Sequence, residues 1–161
     1  MISKDWFIGF IEGEGNFNIS LSKALMKKSK SYLFEFYPIL QFRIFLREDD
    51  KEALEKIKNF VGVGKIYKKS YKYSRKKGVN SQDQYVYMIT SIKNLLVLKE
   101  LLISSNFHTK KKKDMEIFFK VLDLKIEKKH LTLDGYNEIM ALVANLNSLN
   151  RENFRVKPVT E

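Results

Sequence analysis

The sequence predicts an α+β domain with the element order αββαββα and further helices at its C-terminus. Three observations carry this. A helix-like apolar segment over about 4–13 runs directly into alternating residues at 15–22. A second alternating stretch follows at about 33–46. The helix–strand–strand order then returns between residues 49 and 90, as a weak internal echo without sequence repetition.

Ser3 is placed to cap the first helix, with Asp5 in its first turn. Phe17, Ile19 and Leu21 alternate against Asn16, Asn18, Ser20 and Ser22, which gives a strand with one polar face. A basic connector, Lys23 to Ser31, leads to a strand where Phe36, Pro38, Leu40, Phe42 and Ile44 alternate with Tyr37, Ile39, Gln41 and Arg43. Pro38 has no N–H to donate and points to an edge or a bulge. Asp49 and Glu52 have capping-box spacing for a helix with Leu54, Ile57 and Val61 on one stripe. Gly62-Val63-Gly64 ends it and opens a third strand, Lys65 to Tyr73. After the loop Ser74–Ser81, a fourth strand spans about 82–90. Ser91 caps a helix over 92–104 and Thr109 one over 110–128. Thr132 begins a last helix, to about 149, carrying Ile139, Leu142, Val143, Leu146 and Leu149 at helical spacing. No linker divides the chain, so residues 1–161 read as one domain with a core over about 4–128.

Composition narrows the partners. The 161 residues carry a net charge of +11, which calls for a polyanion, nucleic acid before an anionic membrane surface. A membrane role is disfavoured because the basic residues lie on strands, not on one amphipathic helix. No apolar run reaches the ~18 residues of a membrane span, and the N-terminus lacks a signal-peptide core. The chain reads as not secreted, placed in a prokaryotic cytoplasm or an organellar matrix. With no cysteine, disulfides and thiolate metal sites are excluded.

Residues 7–15, FIGFIEGEG, are the most informative segment. Glycine costs a helix interior roughly 0.5–1 kcal/mol relative to Ala, yet Gly9 and Gly13 stand four apart on one helix face. Small residues at that spacing let another helix backbone approach closely. Glu12 and Glu14, two apart, cannot share a helix face and so have different roles. Carboxylate oxygens suit Mg²⁺, which takes one or two carboxylates plus phosphate oxygens.

The strands supply the second constellation. Lys65 to Lys77 contains seven Lys/Arg and no acid, interleaved with tyrosines. Lys65, Tyr67, Lys69, Tyr71 and Tyr73 share one face, with Arg75, Lys76 and Lys77 beyond. Strand ribbons can enter a major groove, where Lys and Arg read guanine and Asn and Gln read adenine. Asn16, Asn18, Ser20, Ser22, Tyr37, Gln41, Arg43, Gln82 and Gln84 fit that use, and Lys23, Lys27, Lys28 and Lys30 can meet phosphates. The third constellation is the run Lys110 to Lys113 at a helix start, where the helix dipole disfavours positive charge. One of these lysines can stabilise a phosphoryl transition state. His108 and His130, the only histidines, are too far apart for a local metal motif.

Residues 7–15 resemble the LAGLIDADG motif of homing endonucleases. The Gly62-Val63-Gly64 turn, Thr109-Lys110-Lys111…Asp114 and the element order extend the likeness over roughly residues 4–120. The resemblance implies four-stranded antiparallel DNA-binding saddles and motif helices that pack across two domains or two subunits. The acids at their feet would then bind divalent metal. One motif implies a homodimer on a long pseudo-palindromic site, through Phe7, Gly9, Phe10 and Gly13. Carried over, Glu14 takes the metal-ligand position and Gly13 a backbone carbonyl ligand. Lys110 takes the active-site lysine, and Lys111 remains a DNA contact. The implied activity is Mg²⁺- or Mn²⁺-dependent hydrolysis of double-stranded DNA, of the intron-homing kind, with host intron RNA as a further partner. Glu14 replaces the commoner Asp. Leu46 and Asp50 occupy places where some members carry a Gln and an Arg that organise water, which leaves that work to Lys110 with Arg43 or Arg47. The alternatives are an RNA-binding intron maturase and a non-cleaving DNA-binding regulator. An intact acid at position 14 argues against both.

Overall fold

The computed structural model describes residues 1–23, 34, 36–72, 78 and 82–146. Its elements are α1 (Lys4–Glu14), β1 (Gly15–Lys23), β2 (Phe36–Arg47), α2 (Lys51–Val61), β3 (Lys65–Lys69), β4 (Gln84–Ile89), α3 (Ile92–Leu102), α4 (Lys111–Ile126) and α5 (Leu133–Leu146). The four strands form one sheet in the order β1-β2-β4-β3. β4 runs antiparallel to both neighbours, pairing Phe45 with Val86 and Val86 with Tyr67. No helix among the described residues is long and apolar enough to cross a membrane.

Contacts divide the chain into two compact units. The first takes Met1–Phe17 and Gln41–Thr109. Its core holds Phe7, Ile11, Phe42, Ile44, Leu54, Ile57, Tyr87, Ile89, Leu95, Leu98 and Leu102, each almost fully buried. Phe17 lies against Phe42 with ring centroids 5.1 Å apart. The second takes Asn18–Leu40 and the chain from Lys110 onward. Here Phe118, Val121, Leu122, Ile139 and Val143 are buried, and the Phe34 ring stacks on Tyr136 at 4.1 Å.

Caps and glycines explain most boundaries. The Ser3 hydroxyl accepts the Trp6 N–H at 3.1 Å and starts α1. Ser91 does the same for Asn94 at the head of α3, and Thr132 for Gly135 in α5. Gly62, at φ +78°, closes α2 with its N–H on the Lys58 carbonyl. Gly64 (φ +95°) passes so near the Tyr87 ring that an added Cβ would sit 2.6 Å from Cε2. A side chain is therefore excluded there on two counts.

Four local expectations need correcting. The Asp49 capping box does not form: residues 48–50 make a 3₁₀ turn, α2 begins at Lys51 with no side-chain cap, and Asp49 pairs instead with Arg47 at 3.1 Å. The third strand stops at Lys69 because the Asp83 carboxylate takes the Tyr71 N–H at 2.9 Å, drawing the chain out of the ladder. Thr109 does not cap α4, whose cap position falls to Lys110. Pro38 is not on an edge strand of the sheet: β2 lies between β1 and β4 in the strand order, and Pro38 lies outside the Phe42–Arg47 stretch paired with β4. Its missing N–H thus removes no bond on that side.

Candidate metal-binding acid and nucleic-acid interface

Because α1 is uncharged from Trp6 to Ile11, the faces of that stretch are separated by burial alone. Phe7, Ile8 and Ile11 turn inward, and Phe7 meets Phe60 at 5.3 Å. Phe7 is wholly buried, so it cannot face a second copy as the sequence suggested. Trp6 is 43% exposed and stacks on Phe10 at 4.8 Å. Trp6, Gly9, Phe10 and Gly13 thus form the outward stripe. A Cβ added at Gly9 or Gly13 would meet nothing within 4 Å. Nothing among the described residues, then, requires glycine at either position. Gly15 differs, since a Cβ there would lie 2.5 Å from Ile11 Cγ2 and 2.7 Å from the Ile11 carbonyl oxygen.

Glu14 ends this helix with its side chain exposed, and among the described residues its carboxylate has no partner. Gly15 follows in extended conformation, its N–H on the Ile11 carbonyl, so β1 starts without a loop. No group of three or more acids or histidines among the described residues could hold a metal unaided. The Glu14 carboxylate and the Gly13 carbonyl carry hard oxygens, the donor type that divalent cations such as Mg²⁺ and Ca²⁺ take.

Glu12 is engaged quite differently. Its Oε1 accepts the backbone N–H of His108 at 2.6 Å and of Thr109 at 2.8 Å. Partial burial on its own raises this carboxyl's pKa. The two N–H donors, the Thr109 hydroxyl and the His108 charge outweigh that and hold it below the usual carboxylate range. An open cleft of about 520 Å³ lies alongside, lined by Lys4, Asp5, Ile8, Gly9, Glu12 and the 104–108 segment. Lys110 comes directly after Thr109; its side chain is exposed at the head of α4, where Lys111 is half-buried.

The first unit's share of the sheet face is set by strand register. Arg43, Met88 and Lys65 form one cross-strand row, Phe45, Val86 and Tyr67 the next, and Arg47, Gln84 and Lys69 the third. Arg43 donates from Nη2 to Asn16 Oδ1 at 3.3 Å, and its guanidinium lies 5.5 Å from the Phe45 ring centre. Lys69 stands over the same ring at 5.3 Å and over Tyr71 at 5.0 Å. The Tyr71 hydroxyl donates to Gln84 at 3.2 Å. Lys68 points to the opposite face, ion-paired with Glu48 at 2.6 Å. Gln41 is half-buried on β2, and Gln82 is exposed just before β4.

Asn18, Ser20, Ser22 and Tyr37 fall in the second unit, half-buried on β1 and β2, and Lys23 ends β1. Lys27, Lys28, Lys30, Tyr73, Arg75, Lys76 and Lys77 lie outside the described residues. Leu46 is half-buried opposite Tyr85, and Asp50 is exposed at the head of α2.

Trp6, Phe45, Val86 and Met88 were missed as site residues. Trp6 had a signal in its spacing to Gly9 and Gly13. The other three sit in apolar runs, Ile44-Phe45-Leu46 and Val86-Tyr87-Met88, where alternation cannot say which residue shares the face of Tyr67; Val86, on that face, is itself buried.

The family model for LAGLIDADG endonucleases matches residues 7–122. Probable intron-encoded endonuclease 3 of Neurospora crassa is 30% identical over 141 residues, which is 86% of this chain and 23% of that protein. Probable intron-encoded endonuclease 2 of the same organism is 29% identical over 150 residues, 91% of this chain and 29% of that protein. The chain thus spans less than a third of either curated relative's length. The homing endonuclease I-TnaI aligns with a TM-score of 0.78 at 24% identity, over 96% of this chain and 94% of that one. The meganuclease I-AabMI, bound to uncleaved DNA, aligns at 0.73 and 29% identity, over 99% of this chain and 51% of that one. I-SmaMI, bound to an uncleaved DNA target in the presence of calcium ions, aligns at 0.76 and 26% identity, over 99% of this chain and 51% of that one. With the helix of spaced glycines, its terminal acid and the four-stranded sheet, these matches establish that the chain belongs to the LAGLIDADG endonuclease family.

Proposed function

We propose that the protein is a site-specific, double-strand DNA endonuclease of the intron-homing kind, acting as a homodimer with divalent metal. The observation that carries this is Glu14, an exposed carboxylate without a partner among the described residues, at the foot of a helix whose glycine stripe none of the described residues covers. A second copy of α1 laid on Trp6, Gly9, Phe10 and Gly13 supplies both the missing neighbour and a second acid. The basic strand face supports DNA as the polyanion. So do the DNA-bound states of I-AabMI and I-SmaMI.

Glu14 and the Gly13 carbonyl hold Mg²⁺ or Mn²⁺. When bound, the ion supplies charge neutralisation at the scissile phosphate and a more acidic water. Lys110 offsets the charge that grows on the phosphoryl oxygens or on the leaving group. Arg47 is paired with Asp49 and Arg43 lies on the strand face beside Asn16, which leaves that task to Lys110. Hydrolysis places the water oxygen on phosphorus and a proton on the departing oxygen. It leaves a 5′-phosphate and a 3′-hydroxyl on each strand.

The test is a cleavage screen against the uninterrupted allele of the host gene, with Mg²⁺, with Mn²⁺ and with EDTA. Wild type should linearise the target only with metal. Glu14→Gln should bind the same duplex within a few-fold while cleavage falls by about 10²-fold or more. Normal cutting by Glu14→Gln would overturn the metal assignment.

A further inference from the structure

The centre of the first unit's sheet face is not basic. Phe45, Val86 and Tyr67 cross three strands as an apolar row, with Tyr67 49% exposed, Phe45 half-buried and Val86 buried between them. Cations stand on both sides of Phe45, Arg43 at 5.5 Å and Lys69 at 5.3 Å. A surface that met only phosphates would gain nothing from such a row, because phosphate oxygens reward charge and hydrogen bonds. Base edges in the major groove are polar too, with one exception. Thymine presents a 5-methyl group there.

Beside the row, Arg43 is held in a fixed pose. Asn16 takes its Nη2 at 3.3 Å and the Phe45 ring lies under its guanidinium, while its Nε is buried with no partner among the described residues. An arginine braced from two sides, with donors to spare, suits the N7 and O6 acceptors of guanine. Residues i and i+2 on a strand stand about 6.6 Å apart, against a base-pair rise of about 3.4 Å. Arg43 and Phe45 therefore address bases no more than about two steps apart.

Resting on the DNA-recognition reading above, we propose that Phe45, backed by Val86 and Tyr67, is a specificity determinant that seats a thymine 5-methyl group. Arg43 reads a guanine within two base pairs of that thymine. The half-site bound by each subunit carries this pair of features.

The test begins with selection from a random-sequence duplex DNA library, using wild type, Phe45→Ala, Phe45→Leu and Arg43→Ala. The wild-type pool should show a thymine column with guanine within two positions. Phe45→Ala should flatten the thymine column alone, Phe45→Leu should keep most of it, and Arg43→Ala should relax the guanine column by about ten-fold or more. In the selected duplex, deoxyuridine at the thymine position, which removes only the methyl group, should weaken wild-type binding several-fold and leave Phe45→Ala binding unchanged. This arm changes the DNA and not the protein, so misfolding of a variant cannot mimic it. If wild type selects a site in which every thymine tolerates deoxyuridine, the methyl assignment is overturned and DNA recognition stands. If wild type selects no sequence at all, both fall.

Discussion

Glu12 Oε1 accepts the backbone N–H of Thr109, 97 residues further along the chain, at 2.8 Å. The bond straps the end of α1 to the segment that leads into the lysine run. Glu12→Ala should therefore speed amide exchange at His108 and Thr109 several-fold or more. Glu12→Gln should restore most of the protection, since its amide oxygen can still accept both N–H groups. Hydrogen exchange read at single residues decides it, and unchanged protection in the alanine variant would sink the strap.

Glycine-to-alanine changes in residues 9–15 should differ in sign. In the isolated chain, Gly9→Ala and Gly13→Ala should each stabilise by up to ~1 kcal/mol, from helix propensity with no clash. Gly15→Ala should destabilise by roughly 1–3 kcal/mol, because its Cβ would collide with Ile11. Urea unfolding under monomeric conditions gives these values. Sedimentation of the Gly9 and Gly13 variants should show weaker self-association, in opposition to their stability.

Two neighbouring aromatics should separate folding from assembly. Phe7→Ala removes a wholly buried ring against Phe60 and should cost about 3–5 kcal/mol of fold stability. Trp6→Ala, at an exposed position, should change stability far less and reduce the dimer fraction. Chemical denaturation and sedimentation equilibrium on both variants test the split; a dimer lost only through unfolding would refute it.

His130 should make the second unit acid-sensitive. Burial first, and the Lys125 charge second, hold its imidazole below the usual histidine range. The unfolded chain takes up this proton near pH 6.5, the folded one only at lower pH. Stability should therefore fall as pH drops below about 6.5 until the folded form also protonates. Thermal midpoints at pH 7.5 and pH 5.5 should lie closer together in His130→Gln than in wild type. An equal spread would remove His130 from the account.

The elements were legible where patterning was unambiguous. β1 was readable because Phe17 and Ile19 alternate with Asn16 and Asn18. α3 was readable because Ser91 caps it and Leu95, Leu98 and Leu102 recur at helical spacing. What stayed hidden was decided by distant or equivalent groups. Nothing local to Glu12 announces His108 and Thr109. Asp83 truncates β3 through Tyr71, a contact 12 residues away. Trp6 and Phe7 are adjacent and both aromatic, and only packing decided which turned inward.

The loopless passage from Glu14 into Gly15 has one more consequence. If, as proposed, the protein cuts where α1 ends and reads with the strand that follows, it carries blade and ruler on one continuous backbone. An inserted or deleted residue at the junction would move the cut and flip every β1 side chain to the other face at once. On the proposed function, drift toward new targets must therefore proceed by exchanging side chains along the strands, with the length of the junction held constant. Lineages built on this helix should change what they recognise far more readily than where they cut.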